Sequence, residues 1–196
     1  MNAEEFKKIK GIKILQKYNL PQPKTIFIFD FKKQEKEIDD FLKNKRIVTI
    51  RSDKRGQTDF CPLSVGCPKN KAKQQIKKLI PKGYVAILQE YIPIRSRVSG
   101  NILILKNYIL VELMGTGPLS LLNREGKVEE QVKLKRGNLK EVEHFGKRLI
   151  SKKELVKILK LVKRVPAYKL LEFTLRSKGL YFWQMRDDKT AKELDI

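Results

Sequence analysis

Leu171-Glu172-Phe173-Thr174-Leu175 and, beyond Arg176-Ser177-Lys178, Gly179-Leu180-Tyr181-Phe182-Trp183-Gln184-Met185-Arg186 form the most informative stretch of the chain. Two runs rich in leucine and aromatic residues flank a Ser-Lys-Gly break, so the stretch reads as a hairpin of strands Leu170 to Leu175 and Leu180 to Gln184. Residues two apart on a strand share a face, which puts Gln184 and Arg186 together. The fold-back at Lys178-Gly179 brings Glu172 opposite or near them. A carboxylate, an amide and a guanidinium on one sheet face suit a metal-bound polyphosphate: the oxygens take Mg2+, and the arginine forks onto phosphate oxygens. The same three groups also fit a solvated hairpin face with an incidental charge pair.

Working outward, strands crowd the second half of the chain. Tyr84 to Tyr91, Gly100 to Leu105, Tyr108 to Leu113 and Lys127 to Leu134 read as strands, with Lys106-Asn107 as a tight connection between the second and third. Gly115-Thr116-Gly117-Pro118 breaks the pattern. Ser151 to Val162 reads as a helix, with Ser151 as cap and Glu154 three residues on. Toward the N-terminus, Glu4 to Tyr18 has helical apolar spacing and is stopped by Asn19, Pro21 and Pro23. Thr25 to Phe29 and Arg46 to Ile50 read as strands around a charged helix, Lys33 to Leu42. Arg51 to Pro68 is expected to be irregular, being punctuated by Gly56, Pro62, Gly66 and Pro68, and Lys71 to Leu79 to be a short basic helix ended by Pro81 and Gly83. Mixed elements with bunched strands predict the α+β class.

The closing hairpin resembles the end of the nucleotide-binding domain of pyruvate phosphate dikinase and phosphoenolpyruvate synthase, where the stretch reads like I-E-F-T-I and then G-K-L-Y-x-L-Q-x-R. Three further islands follow the family's order. Tyr18-Asn19-Leu20-Pro21-Gln22-Pro23 looks like G-L-P-V-P, and Ile47-Val48-Thr49-Ile50-Arg51-Ser52 looks like V-A-V-R-S-S. Val85-Ala86-Ile87-Leu88-Gln89-Glu90-Tyr91, with Ser99-Gly100, looks like V-x-V-Q-x-M-V…S-G. The resemblance implies an ATP-grasp fold: an N-terminal lobe over residues 1–83 and a C-terminal lobe over residues 84–196, holding ATP between their sheets.

Carried over residue by residue, the resemblance has Arg51 contacting the nucleotide phosphates. Glu172 and Gln184 hold Mg2+ and the phosphate chain, with Arg186 beside them. The backbone of Gln89, Glu90, Tyr91 and Ile92 meets adenine. A lysine near the N-terminus is also implied, and Lys8, Lys10 and Lys13 are all candidates. Glu112 matches an acidic position on a second-lobe strand, and Arg97, in Arg95-Ser96-Arg97, lies where this fold places a phosphate-facing element, though the same cluster also fits a solvated turn. Phosphoryl transfer needs positioning and charge neutralisation more than covalent chemistry from the protein, and this set supplies both. There is no G-x-x-x-x-G-K-[ST] loop in the chain. Two departures stand out. Leu170 occupies a position that is commonly Asp in the family, and the family's phosphohistidine domain and carboxyl-terminal barrel are absent from this chain.

Composition bounds the remaining readings. The 196 residues are 41% hydrophobic and 34% charged, as in a globular chain, and no apolar run approaches a membrane span. The N-terminus has no signal-peptide h-region, which predicts a soluble, cytoplasmic protein with no membrane partner. Cys61 and Cys67 are expected to be two reduced thiols, and no His/Cys cluster supports a structural zinc. His144, the single histidine, is either ordinary surface or a phosphoacceptor or general base. A net charge of +22 draws polyanions, and the basic tracts Lys69 to Lys78 and Lys147 to Lys163 are either solvated helix faces or a nucleic-acid surface. The first expectation is therefore an Mg-ATP-dependent phosphotransferase or ligase acting on an unidentified acceptor, which a polyanion would satisfy. Its rivals are a basic nucleic-acid-binding protein on a degenerate ATP-grasp scaffold, and a nucleotide-binding regulatory subunit whose separate partner carries the phosphohistidine domain.

Overall fold

The computed structural model describes residues 6–56, 61–93, 97–116, 122, 125–177, 179–188 and 190–195. It is α+β, with two antiparallel sheets in two compact units. The first unit comprises Met1–Lys10 and Pro23–Pro93; the second comprises Gly11–Gln22 and Ile94–Ile196. This differs from a division near Gly83. Strand β4 (Val85–Glu90) pairs with β1 (Thr25–Ile28) and β2 (Ile47–Asp53), so it completes the first sheet instead of opening the second. Helix α1 (Lys7–Lys17) contributes residues to both units.

The first sheet has the order β1-β4-β2-β3, with β3 spanning Leu63–Pro68. Helices α2 (Glu35–Leu42) and α3 (Lys69–Leu79) bury Ile38, Leu42, Ala72 and Ile76 against Ile28, Val48, Ile50, Ala86 and Leu88. Strand β3 is a correction to the irregular reading of 51–68. It is an edge strand with Leu63 and Val65 exposed, broken by Gly66 at positive φ. Its order comes from backbone pairing with β2, which side-chain patterning does not announce.

Asp53, the last residue of β2, is 1% exposed and caps α1 from a distance. Its Oδ2 accepts hydrogen bonds from the backbone N–H groups of Lys8 (2.7 Å) and Ile9 (3.1 Å), and Oδ1 accepts from the N–H of Lys54 (3.0 Å). A helix leaves its first N–H groups without internal partners, and a carboxylate there satisfies them and favours the positive end of the helix dipole.

The second sheet has the order β10-β9-β5-β6-β7-β8, all antiparallel. Its strands are β5 (Val98–Ile104), β6 (Tyr108–Met114), β7 (Glu130–Lys135), β8 (Glu141–Gly146), β9 (Lys169–Arg176) and β10 (Gly179–Asp187). One face carries the core: Ile102, Val111, Leu113, Val132, Leu171, Phe173 and Phe182 pack with Leu15 of α1 and with Leu155, Ile158 and Leu159 of α4 (Lys152–Leu161). Burying Phe173 and Phe182 alone contributes about 1.5–3 kcal/mol each. Ser151 caps α4 as expected, with its side chain accepting from the Glu154 N–H and Glu154 returning to the Ser151 N–H. At Gly100 an added Cβ would lie 2.7 Å from the Glu112 carbonyl oxygen, Leu113 and Phe173, so only glycine fits at this crossing of three strands.

Strand β8 was not foreseen. Its Glu-Val-Glu-His-Phe-Gly sequence lacks strict alternation, and four of its six residues are exposed. Ion pairs, not apolar contacts, hold much of it. Arg148 donates to both oxygens of Glu141 (3.1 and 3.0 Å), and Lys133 on β7 pairs with Glu143 (2.8 Å). Among the described residues no helix is long and apolar enough to cross a membrane.

Candidate functional site

The second sheet sets a polar row across five strands. Register pairs Gln184 of β10 with Glu172 of β9, Glu172 with Asn101 of β5, Asn101 with Glu112 of β6, and Glu112 with Gln131 of β7. Directly opposed residues share a face with Cβ atoms about 4.5–5.5 Å apart, so Glu172 has an amide on each side. The Gln131 side-chain amide lies 3.5 Å from Glu112 Oε1. One layer along the same face, Arg186 pairs with Leu170, Leu170 with Leu103, and Leu103 with Leu110. The other neighbouring layer is held by hydroxyls: Ser99 and Thr174 lie 3.3 Å apart, and Trp183 Nε1 donates to Thr174 Oγ1 (2.9 Å). Trp183 is the extra residue of a bulge between Phe182 and Gln184, which lets Phe182 face the core while Gln184 faces Glu172.

Glu172, Gln184 and Glu112 are thus brought onto one row, with Arg186 beside it. Asn101, 8% exposed, and Gln131 complete the row and were missed. The available signal was an amide inside the otherwise apolar run Gly100 to Leu105. Among the described residues no cluster of three or more His, Cys, Asp or Glu has the geometry to hold a metal. The row offers instead separated carboxylates interleaved with amides, a hard-oxygen donor set of the kind that shares Mg2+ with substrate phosphates and water.

Arg97 is drawn elsewhere. Its guanidinium pairs with Glu154, and its N–H bonds to the Leu175 carbonyl, which ties the start of β5 to the capped end of α4. Arg95 and Ser96 lie outside the described residues, as do Gly117, Pro118 and Lys178.

The first unit carries the other candidates. Arg51 sits on β2 between Ile87 of β4 and Leu63 of β3. Gln89 lies between Thr25 and Thr49 and is 1% exposed. Its Nε2 donates to Thr25 Oγ1 (3.0 Å), and its Oε1 is buried with no donor among the described residues. The Gln89 side chain is therefore part of the sheet interior. Glu90 donates its N–H to the Lys24 carbonyl (2.9 Å), Tyr91 flanks Gly66, and Ile92 is buried. Of the lysines on α1, the Lys8 ammonium is taken by the Ser52 carbonyl (2.9 Å), whereas Lys10, and Lys13 in the second unit, are exposed.

His144 has a structural post. Its Nε2 lies 3.1 Å from Oε1 of Glu130, a carboxylate with no solvent exposure. Arg148 Nη1 lies 3.5 Å from that oxygen, and the N–H of Leu149 donates to Oε2 (2.6 Å). Cys67 is buried, which pushes its thiol pKa up, and Cys61 is the second free cysteine.

Hydrogen bonds from Arg148 and then Lys152 hold the Glu141 carboxyl below its ordinary range, and Arg97 does the same for Glu154. A carboxylate lowered in the folded state contributes stability above its unfolded pKa and loses it as pH falls through the folded value. Melting temperature is therefore expected to hold near neutrality and fall on acidification from about pH 5 to about pH 3. Arg148→Gln should flatten that fall. Glu154 adds little because its side chain is 39% exposed. An unchanged acid profile in Arg148→Gln would contradict the assignment.

No family model and no curated protein matches the sequence. Solved structures share the fold at low identity. N5-carboxyaminoimidazole ribonucleotide synthetase, in an ADP complex, superposes with a TM-score of 0.55 at 12% identity, covering 93% of this chain and 44% of its own. D-alanine–D-alanine ligase of Bacillus anthracis gives 0.55 at 13% identity, covering 99% of this chain and 60% of its own. Dinucleotide-forming acetyl-coenzyme A synthetase 1 of Ca. Korarchaeum cryptofilum, in complex with coenzyme A and Ca-AMPCP, gives 0.57 at 10% identity, covering 91% and 90%. The chain spans about half the length of the first two (44% and 60%). These likenesses establish the ATP-grasp fold.

Proposed function

We propose that this chain binds Mg-ATP and activates an acceptor by phosphoryl transfer, as a ligase or a phosphotransferase of the ATP-grasp type. The observation that carries the reading is Glu172, flanked in register by Gln184 and Asn101 with Glu112 one strand beyond. Glu172 and Gln184 would supply oxygens to a magnesium ion, and Glu112, two strands from Glu172 on the same row, is a further candidate for the nucleotide site. Magnesium held there would supply charge neutralisation of the triphosphate and Lewis-acid polarisation of its phosphoryl oxygens. Arg186, on the same face, forks onto phosphate oxygens and stabilises the charge that develops during transfer. The sequence resemblance adds Arg51 as a second phosphate contact, Lys10 or Lys13 as further charge, and the backbone from Gln89 to Ile92 as the adenine edge. The leucine layer of Leu170, Leu103 and Leu110 gives the ring an apolar surface beside the polar row. An apolar shelf abutting a polar row matches a ligand with a flat base at one end and phosphates at the other.

Solved neighbours named as ligases and synthetases, two of them bound to an adenine nucleotide or its analogue, support this reading. The finer kinship with pyruvate phosphate dikinase and phosphoenolpyruvate synthase rests on the four sequence islands. It implies a separate partner that carries the phosphohistidine domain.

Calorimetric titration of Mg-ATP into the full chain and into Glu172→Ala and Arg51→Ala tests it. Each variant removes a charge-assisted contact worth about 1.5–3 kcal/mol, so affinity is expected to fall roughly 10- to 100-fold in each. Equal affinity in all three proteins would remove these residues from the site.

A further inference from the structure

Two lysine tracts look alike in the sequence and differ in the structure. On α3 three of the five lysines are engaged, and Lys71 and Lys78 are exposed and meet no carboxylate among the described residues. Lys73 pairs with Glu35 (3.2 Å) and Asp39 (2.7 Å), Lys77 stands over the Phe31 ring (4.6 Å), and Lys69 donates to the Lys43 carbonyl (3.0 Å). On α4 they are not. Lys153, Lys157 and Lys160 are exposed along one side of the helix, followed by exposed Lys163 and Arg164, and among the described residues none meets a carboxylate. From Leu155 through Leu171 the chain contains no acidic residue, and Glu154 is taken by Arg97.

Like charges three and four apart on a helix each cost roughly 0.2–0.5 kcal/mol, a cost that an anionic partner would remove. The helix is rigidly seated, because Leu155, Ile158, Leu159 and Val162 are buried in the core and Ser151 and Glu154 cap its start. We infer that the exposed side of α4 and the turn after it form a docking surface for the phosphodiester backbone of a nucleic acid, apart from the nucleotide site.

Several features select this occupant. Lysines at 153, 157 and 160 span about 10 Å of helix at 1.5 Å per residue. The same length of one nucleic-acid strand, at about 3.4 Å per phosphate, presents about three phosphates. The stripe carries no aromatic side chain, so it contacts the backbone instead of stacking on bases. A protein interface would present an apolar or aromatic centre, and here Leu161 is the lone exposed apolar residue of the helix. A membrane-binding helix would insert its apolar side, and that side is already in the core.

The test is fluorescence anisotropy of a labelled single-stranded RNA of about 20 nucleotides, and of its DNA counterpart, titrated with the full chain between about 50 and 200 mM salt. Binding of either polymer is expected, weakening with salt. The combined Lys153→Gln, Lys157→Gln, Lys160→Gln and Lys163→Gln variant should lose at least about 100-fold in affinity and about 3 from the slope of log affinity against log salt. A charge-matched control, Lys36→Gln, Lys71→Gln, Lys78→Gln and Lys82→Gln, should lose less than about tenfold. Unaltered melting and Mg-ATP affinity in the α4 variant separate this result from the fate of the nucleotide site. The inference is overturned if the α4 variant binds like the parent, if the control falls as far, if neither polymer binds at the lowest salt, or if the parent binds phosphatidylserine vesicles in place of nucleic acid.

Discussion

Glu130→Ala is expected to lower stability by about 3–5 kcal/mol, the usual consequence of removing one member of a buried charged cluster. The Glu130 carboxylate has no exposed surface and gathers His144 from β8, Arg148, and the N–H of Leu149. Alanine leaves the Leu149 N–H and the His144 ring without their acceptor in a closed site, where an unsatisfied polar group costs about 1–3 kcal/mol. It also opens a void the size of the lost side chain. Domains are stable by only about 5–15 kcal/mol, so a large part of the total goes. Thermal melting of the full chain should show a fall on the order of 10 °C. Glu130→Gln, which keeps the shape and one acceptor oxygen, should lose less than half as much. His144→Ala should destabilise in part and leave Mg-ATP affinity unaltered, as befits a structural histidine. A melting temperature for Glu130→Ala within about 2 °C of the parent would refute the role assigned to this cluster.

Asp53→Ala is expected to cost about 2–4 kcal/mol by orphaning three backbone donors, those of Lys8, Ile9 and Lys54. Ordinary surface caps contribute about 1 kcal/mol, but this one is 1% exposed, so water cannot replace the lost acceptor. Asp53→Asn keeps an oxygen for the helix N–H groups and should recover most of the loss. Amide hydrogen exchange separates this effect from general destabilisation: the first turn of α1 should open in Asp53→Ala before the strands of the first sheet do. Protection of Lys8 and Ile9 equal to that of the parent would overturn the assignment.

Where the sequence carried periodic apolar residues or a local cap, the reading and the structure coincide. Ser151 and Glu154 announced α4, and the leucine and aromatic runs around Ser177 announced β9 and β10, with Glu172 and Gln184 opposed. Where an element is held by polar or backbone contacts between distant positions, the pattern was silent. Strand β8 is fastened by Arg148, Glu141 and Glu143, and β3 by its pairing with β2. Nothing in the stretch around Asp53 marks it as a cap, and only the fold reveals it as the cap of a helix that begins 46 residues earlier in the chain.

The polar row divides in the same way. Glu172, Gln184 and Arg186 could be grouped from the hairpin alone, because strand period and a short turn fix their relation locally. That Asn101 sits between Glu172 and Glu112 depends on β5 inserting between β9 and β6, a non-local pairing that no stretch of sequence encodes by itself. The basic tracts separate last. Composition fixed an excess of positive charge, a sum over residues that needs no geometry. Which lysines are already neutralised and which stand open to a partner is a matter of distances between remote side chains. Those distances exist only after the chain has folded.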